Sequence, residues 1–93
     1  MKKLDHGQPT VGMALYYSEF CGFCARVRRT IADLGLQIEL RDVVSVPAHR
    51  TDLVGGGGKA TVPCLRIEHA DGKVEWMYES ADISRYLTEN FAR

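Results

Sequence analysis

The sequence VGMALYYSEFCGFCARVRRTIADLG, residues 11–35, holds the pattern from which the fold is predicted. It opens with a continuous apolar run, Val11–Tyr17, which is long enough for a strand buried on both faces. Apolar residues then recur at the spacing of one helix face, and these are Cys24, Val27, Ile31 and Leu34. Gly35 stands where the C-terminus of a helix favours glycine. The stretch therefore predicts a buried strand that leads directly into a helix.

A second strand and a second helix are predicted next. Gln37–Val44 contains alternating apolar and polar side chains, a pattern typical of a strand. Pro47 favours the first turn of a short helix that runs to Val54, with Gly55–Gly58 ending it. Because a helix joins the first two strands, we expect these strands to run parallel.

The last third of the chain predicts a hairpin and a final helix. Thr61–His69 is the third predicted strand, and the pair Asp71-Gly72 predicts a tight turn into a fourth, Val74–Tyr78. Ser80 is predicted to cap the last helix. The apolar stripe of that helix consists of Ile83, Tyr86 or Leu87, and Phe91. The order β-α-β-α-β-β-α predicts an α/β fold with a mixed four-stranded sheet flanked by helices.

Composition predicts one small globular domain. The chain has 93 residues, of which 45% are hydrophobic and 26% charged, and its net charge is zero. A basic excess is typical of nucleic-acid binders, so we expect no nucleic-acid partner. No apolar run is long enough to span a membrane, and no apolar segment follows the two N-terminal lysines as in a secretory signal, so we expect a cytoplasmic protein. Residues 1–10 are predicted to be a flexible tail, and residues 11–93 the domain.

The motif Cys21-Gly22-Phe23-Cys24 falls where the first predicted strand ends and the first helix begins. The first amides of a helix lack intrahelical acceptors, and the helix dipole places partial positive charge there. Both would stabilise a thiolate at Cys21. Cys24 lies one turn further along, under the apolar stripe. The spacing therefore predicts one exposed nucleophile and one sheltered resolving thiol.

Cysteines in this pattern have two other interpretations. A structural zinc site needs four ligands, and only Cys64, His49 and His69 could add to the pair. Buried inert thiols are the second alternative, and they are less expected at a strand-to-helix junction. The redox interpretation is therefore preferred for the pair. Cys64 itself stays open between a position close to the pair and an ordinary buried side chain.

Two further motifs have both a functional and an ordinary interpretation. A cis bond before Pro63 would present the Val62 backbone to an extended ligand, whereas a trans proline would only start a strand. The segment Glu79–Asp82 begins the last predicted helix, whose free amides form an anion site. The ordinary interpretation of that segment is helix capping by Ser80.

Taken together, the Cys-Gly-Phe-Cys motif, Thr-Val-Pro-Cys-Leu at residues 61–65 and Glu-Ser-Ala-Asp-Ile at residues 79–83 resemble a glutaredoxin of the thioredoxin superfamily. The resemblance implies a thioredoxin-like fold in which Cys21 attacks disulfides and becomes glutathionylated, with Cys24 as the second catalytic cysteine. It also implies that Val62 pairs with the glutathione backbone beside a cis Pro63. The glutathione-binding residues implied are Phe23, Val62, Pro63, Glu79, Ser80 and Asp82.

The sequence departs from the usual glutaredoxin pattern in three places. Gly22-Phe23 replaces the Pro-Tyr of many glutaredoxins and resembles the single-cysteine branch, some members of which bridge a [2Fe–2S] cluster between two subunits with two glutathiones. Ser18 replaces a lysine that contacts a glutathione carboxylate. Tyr78-Glu79 replaces glycines that are usual before the last helix, and the Glu79-Ser80 pair is similar to the glutathione-binding half of glutathione transferases.

The function predicted first is a glutathione-dependent thiol–disulfide oxidoreductase that reduces protein disulfides and glutathione mixed disulfides through Cys21 and Cys24. The alternative is a carrier or sensor of a glutathione-ligated [2Fe–2S] cluster, with Cys21 as the protein ligand. A weaker third hypothesis is an electron donor fed by a thioredoxin-type reductase. The expected partners are glutathione and disulfide-containing or glutathionylated proteins, with no membrane partner. We expect a monomer unless a cluster bridges two chains.

Overall fold

The computed structural model describes residues 8–92, with side chains from Gly12 onward. The elements are β1 (Gln8–Tyr17), α1 (Gly22–Asp33), β2 (Leu36–Asp42), α2 (Pro47–Gly57), β3 (Cys64–Glu68), β4 (Val74–Met77) and α3 (Ser80–Phe91). The predicted order of helices and strands is confirmed. β1 begins at Gln8 rather than at Val11, so it takes in the end of the predicted tail, whose residues 1–7 lie outside the described part of the chain.

One mixed sheet with the strand order β2-β1-β3-β4 forms the centre of the molecule. β1 runs parallel to β2 and antiparallel to β3, and β3 and β4 form the antiparallel hairpin expected from Asp71-Gly72. Gly72 takes a φ of 89°, which a side chain would disfavour. The sheet confirms the predicted fold class and places the end of β1 at its middle.

Helices cover both faces of the sheet. α1 and α3 pack on one face, over a core that includes Leu15, Val27, Ile83 and Leu87. α2 covers part of the other face, over a smaller cluster of Tyr16, Val43, Leu53 and Cys64. α2 buries only Leu53 among its own residues. The core under α1 and α3 is therefore larger than the cluster under α2.

The predicted end of α2 is wrong. Gly55–Gly58 were expected to terminate the helix after Val54, but α2 continues through Gly57. Gly58 then ends it in the left-handed conformation, with a φ of 93°. Glycine weakens a helix interior because it gains the most chain entropy on unfolding, and for this reason the glycine run predicts the end of a helix.

Close packing explains why glycines are present in the last turn of α2. A Cβ atom at Gly56 would overlap the Trp76 indole, and one at Gly57 would overlap the Tyr78 hydroxyl. These two glycines let the helix backbone lie directly on two aromatic side chains, Trp76 in β4 and Tyr78 just after it. This packing stabilises the last turn of α2, although glycine residues do not favour a helix.

The predicted cap of α3 is also wrong. The N-cap residue is Glu79, with extended backbone and no side-chain capping bond, and Ser80 is already the first helical residue. The Glu79 carbonyl accepts the amide of Ile83 at 2.8 Å. Ser80 therefore contributes its own backbone amide to the open end of the helix.

The three later strands are shorter than, or displaced from, the predicted ranges. β2 ends at Asp42, because the Asp42 carboxylate accepts the amides of Val44 (2.9 Å) and Ser45 (3.1 Å) and turns the chain. β3 begins at Cys64, directly after Pro63. Within the described residues, no helix is both long and apolar enough to cross a membrane.

Candidate active site

Cys21 is the N-cap residue of α1. Its backbone is extended, its carbonyl accepts the amide of Ala25 at 3.1 Å, and its Sγ atom accepts the amide of Cys24 at 3.1 Å. The side chain is half-buried, so the sulfur remains reachable. A backbone donor and the positive end of the helix dipole both face the sulfur. The sequence-based placement of Cys21 is confirmed by this geometry.

Cys24 is fully buried in the larger core, with no exposed surface. Burial, followed by a side-chain hydrogen bond with Cys21, raises the pKa of its thiol to about 12. A thiol in this state is protonated at neutral pH and reaches solvent only if α1 moves. The pair thus has one accessible sulfur and one sheltered sulfur in contact with it, as the spacing predicted.

Cys64 lies on the opposite face of the sheet from Cys24. It belongs to the small cluster under α2, opposite Tyr16 on β1, and has no exposed surface. Burial raises the pKa of its thiol to about 11, although a hydrogen bond with Tyr78 acts in the other direction. Of the two alternatives for Cys64, the structure shows the ordinary buried side chain, and the sheet separates it from Cys21 and Cys24.

The Val62–Pro63 peptide bond is cis, which agrees with the functional interpretation of this motif. The Sγ atom of Cys21 lies 3.9 Å from the Val62 carbonyl oxygen, to which the thiol donates. Beside it is a small groove of about 140 Å³, lined by Phe23, Thr61, Val62, Pro63, Tyr78, Glu79 and Ser80. The groove connects the start of α1, the start of β3 and the start of α3.

Five of the six predicted glutathione-binding residues line this groove, and Asp82 does not. The Asp82 carboxylate accepts from Arg85 Nη2 at 2.7 Å, in an exposed ion pair one turn along α3. The assignment of Asp82 as a binding residue stays a prediction. The structure gives its carboxylate a different partner.

Tyr78 lines the groove and was missing from the binding residues predicted from the sequence. Its hydroxyl donates to the Lys59 carbonyl at 3.1 Å and accepts the Lys59 amide at 3.3 Å. The Lys59 ammonium lies 4.6 Å from the centre of the Tyr78 ring. Burial raises the pKa of Tyr78. Its place directly before Glu79-Ser80 was the signal that could have indicated it.

A second set of side chains braces the loop in front of Cys21. The Glu19 carboxylate accepts from the Tyr17 hydroxyl and from Arg28 Nη1, each at 3.3 Å. The Arg28 guanidinium also lies 4.8 Å from the centre of the Tyr17 ring. Burial and the Glu19 charge raise the pKa of Tyr17. These contacts tie α1 to the loop that leads into the reactive cysteine.

Metal binding finds little support in the described part of the chain. No group of three or more histidine, cysteine or acidic side chains is placed to hold a metal ion there. Of the three cysteine sulfurs, only that of Cys21 is not buried, whereas a [2Fe–2S] cluster takes four protein ligands in its usual form. A single chain therefore does not supply the ligand set of a cluster, and the glutathione-bridged alternative stays a prediction.

Comparison with known proteins agrees with this arrangement. A family model described as the N-terminal domain of glutathione S-transferases matches residues 15–93. The chain belongs to this family. The match confirms the thioredoxin superfamily expected from the motifs, and it places the chain in the transferase branch of it rather than specifically among glutaredoxins.

Two of the similar solved structures have 27% and 28% sequence identity to the chain. Maleylacetoacetate isomerase from Anaeromyxobacter dehalogenans, with bound glutathione in its active site, is 27% identical with a TM-score of 0.65, over 85% of this chain and 37% of the isomerase. A trimeric glutathione transferase from Leishmania is 28% identical with a TM-score of 0.69, over 86% of this chain and 18% of the transferase. The chain thus spans about a third, or less, of the length of these proteins.

A third structure shows the fold in a chain of similar length. A thioredoxin-like protein is 21% identical with a TM-score of 0.63, over 81% of this chain and 97% of that protein. The thioredoxin-like fold is therefore confirmed for the transferase-type domain. No curated protein sequence matches the chain.

Proposed function

We propose that the chain is a glutathione-dependent thiol–disulfide oxidoreductase in which Cys21 is the nucleophile. The observation that carries the proposal is the position of the Cys21 sulfur. It accepts a backbone amide at the start of α1 and lies 3.9 Å from the carbonyl oxygen of Val62, a residue that lines the groove. Bound glutathione in the active site of the similar isomerase supports glutathione as the ligand of this groove.

The groove offers glutathione two kinds of contact. The Val62 backbone beside the cis bond is open to pair with the cysteinyl residue of an extended tripeptide. At the other end, Ser80 begins α3, where free backbone amides and the helix dipole favour a carboxylate. The γ-glutamyl carboxylate fits there, which brings the glutathione sulfur towards Cys21.

The proposed reaction is thiol–disulfide exchange in two steps. In the first, the Cys21 thiolate attacks the glutathione sulfur of a mixed disulfide, a new sulfur–sulfur bond forms to Cys21, and the reduced substrate leaves as its thiolate. In the second, the thiolate of a second glutathione attacks the bound glutathionyl sulfur, and oxidised glutathione leaves while Cys21 returns to the thiolate. Exchange is fastest when the attacking thiol is ionised and the site is accessible, and Cys21 has an accessible, amide-bonded sulfur.

Cys24 has a secondary role in this scheme. Its thiol has a pKa of about 12, so it is almost wholly protonated at neutral pH and attacks slowly. Burial, the largest cause of the raised pKa, remains in the adduct, so we expect a second glutathione from solvent to resolve the adduct faster than Cys24 does. Closure of a Cys21–Cys24 disulfide is the slower branch.

The test is the steady-state reduction of a glutathionylated peptide by glutathione. We expect Cys21→Ser to abolish the activity and Cys24→Ser to retain most of it. Cys64→Ser is the matched control, because Cys64 is buried on the far face of the sheet. Equal loss in the Cys21 and Cys24 variants would contradict the glutathione-resolved route and favour a route through both thiols.

The family supports a second candidate, a glutathione transferase or isomerase reaction. The isomerase was also solved with a dicarboxyethyl derivative of glutathione in its active site. Conjugation of glutathione to an electrophile, in the absence of mixed-disulfide reduction, would favour this candidate. The cluster hypothesis would be favoured instead by visible absorbance after anaerobic reconstitution with iron and sulfide.

A further inference from the structure

Exposed apolar side chains lie near Cys21 but outside the groove. Phe20 directly precedes Cys21, and its side chain is 88% exposed. Val44 and Val46 follow β2 and are 58% and 42% exposed. The lining of the groove includes none of these three side chains. We call Phe20, Val44 and Val46 the apolar rim.

The order of the strands places the apolar rim and the groove on opposite sides of Cys21. β1 leads into Cys21 and lies between β2 and β3. The groove lies on the β3 side, where Val62 and Pro63 line it. The rim lies on the β2 side, because β1 and β2 run parallel and the Val43 amide donates to the Tyr17 carbonyl at 3.0 Å where both strands end. A disulfide substrate held in the groove through its glutathione half therefore has the rim beside its other half.

Hydrogen bonds fix the backbone that carries the rim. The Ser18 hydroxyl accepts the Phe20 amide and the Ser18 carbonyl accepts the Cys21 amide, each at 3.2 Å. After β2, the Asp42 carbonyl accepts the Val46 amide at 3.2 Å. A preorganised apolar surface loses little chain entropy when a ligand binds, and exposed apolar patches of this kind mark interaction sites.

A depression between α1 and β2 begins one turn from Cys21 and adds a charge to this surface. Its volume is about 740 Å³, and its apolar lining includes Ala25, Ile31 and Leu40. The Cys21 carbonyl accepts the Ala25 amide at 3.1 Å, which places Ala25 next to the reactive site. Arg29 lines the same depression and is exposed, and among the described residues no carboxylate pairs with it. An acidic ligand complements this guanidinium.

We propose that the apolar rim and Arg29 bind the protein half of a glutathionylated substrate, a segment with apolar residues beside the modified cysteine and an acidic residue further along. The distance from Gly22 to Arg29 is about 10 Å along the helix, which an extended peptide covers in about three residues. The inference rests on the proposed function, because the glutathione half of this substrate occupies the groove beside Cys21.

The test compares two mixed disulfides of glutathione. One contains a peptide with leucine on both sides of its cysteine and aspartate about three residues away, the spacing set by extended chain, and the other contains free cysteine. Phe20→Ala should lower kcat/KM for the peptide about tenfold, through KM, since a phenyl ring no longer covers the leucines. The free-cysteine disulfide should react as with the wild type. Phe20→Leu should retain most of the peptide activity.

Val74→Ala is the matched control, because Val74 is an exposed apolar residue on β4, at the other edge of the sheet. It should change neither substrate, and circular dichroism checks the fold of each variant. A loss in Phe20→Ala that is equal for both disulfides, or absent for both, would overturn the role of the rim.

A charge exchange tests Arg29. Arg29→Glu should weaken the aspartate peptide and favour the same peptide with lysine in place of aspartate. Arg50→Glu, an exposed arginine on α2, should leave the preference of the wild type unchanged. The same change of preference in both variants would assign the effect to net charge and overturn the contact with Arg29.

Binding without turnover separates this inference from the proposed reaction. Fluorescence anisotropy of the labelled glutathionylated peptide measures its affinity for the Cys21→Ser variant, and Phe20→Ala in that background should weaken it about tenfold. If the wild type reduces neither disulfide but binding depends on Phe20, the rim stands and the proposed reaction falls. If the wild type reduces both and binding does not depend on Phe20, the reaction stands and the rim falls.

Discussion

Cys21 and Cys24 are close in sequence, yet their sulfurs meet opposite surroundings. Cys21 accepts a backbone amide at the surface, and Cys24 lies in the core with a hydrogen bond to Cys21. The spacing made this difference predictable, because the N-cap and the third residue of a helix lie at different depths. The sequence left Cys64 undecided, because the sheet face on which it lies depends on strand pairing with β1.

The first prediction concerns alkylation of the three thiols. Only thiolates react with iodoacetamide, and a thiol with a pKa of about 11 is ionised in about one molecule in ten thousand at neutral pH. Cys24 and Cys64 are also fully buried. We therefore expect a single modification per folded chain, at Cys21, measured by intact mass and peptide mapping. Denatured protein, as control, should take up three, and rapid labelling of Cys64 in the folded chain would contradict the structure.

The second prediction concerns stability at alkaline pH. In the folded chain the pKa of Cys64 is raised from 9.0 to about 11, so between these values the unfolded chain has lost a proton that the folded chain keeps. The stability that this thiol contributes is fully present below about pH 9 and decreases above it, by about 1.4 kcal/mol per pH unit. Cys24 acts in the same direction over a range that extends to about pH 12.

Urea unfolding in the presence of a reductant measures this dependence. The free energy of unfolding should decrease from about pH 9 to pH 11, and the Cys64→Ala variant should show a slope smaller by about 1.4 kcal/mol per pH unit. Tyr17 and Tyr78 also have raised pKa values, so part of the slope should remain in the variant. Identical slopes in the two proteins would show that Cys64 ionises equally in the folded and unfolded chains.

Among the elements, α2 is the one whose end the sequence pattern predicted wrongly, because a tertiary contact decides it. Its glycine run was correctly recognised as a poor helix sequence, but the packing of Gly56 on Trp76 keeps the run helical. This contact joins residues 20 positions apart, and no local pattern indicates it. The helix α1, by contrast, was predicted well because its stripe of Cys24, Val27 and Ile31 is both its pattern and its buried face.

The third prediction separates the two kinds of glycine in α2. Gly55→Ala meets no atom within 4 Å, so it should stabilise the protein by about 0.5–1 kcal/mol through the lower entropy of the unfolded chain. Gly56→Ala should instead destabilise it by about 1–3 kcal/mol, since the new methyl group overlaps the Trp76 ring. Urea unfolding of both variants measures the difference. Similar effects of the two substitutions would mean that α2 does not rest on Trp76.

At the scale of the whole molecule, the sequence predicted the fold class but not the order of the strands. The order depends on pairings between distant segments, such as Leu15 with Leu65, which periodicity does not reveal. The candidate site depends on the same pairings, because β1, β3 and α3 each bring one part of it. The motifs predicted Cys21, Val62 and Ser80 as site residues, and the structure brings them close together, while the orientations of Tyr78 and Asp82 became visible only in three dimensions.

The fourth prediction is that glutathione stabilises the whole domain, because the groove joins three separate elements that must all be folded for binding. At a concentration 100-fold above its Kd, a ligand adds about 2.7 kcal/mol to the free energy of unfolding, which raises the Tm of a domain of this size by about 10 °C or more. Ser80→Ala should reduce the Tm shift in part, since it removes a hydroxyl from the lining of the groove but keeps the backbone amide at the start of α3. Asp82→Asn should leave it nearly unchanged, because Arg85 holds that carboxylate outside the groove. Differential scanning calorimetry with reduced glutathione measures the Tm shift of the wild type and of both variants. An equal loss of the Tm shift in both variants would place Asp82 in the site. A wild type without a Tm shift would show that glutathione is not the ligand of the groove.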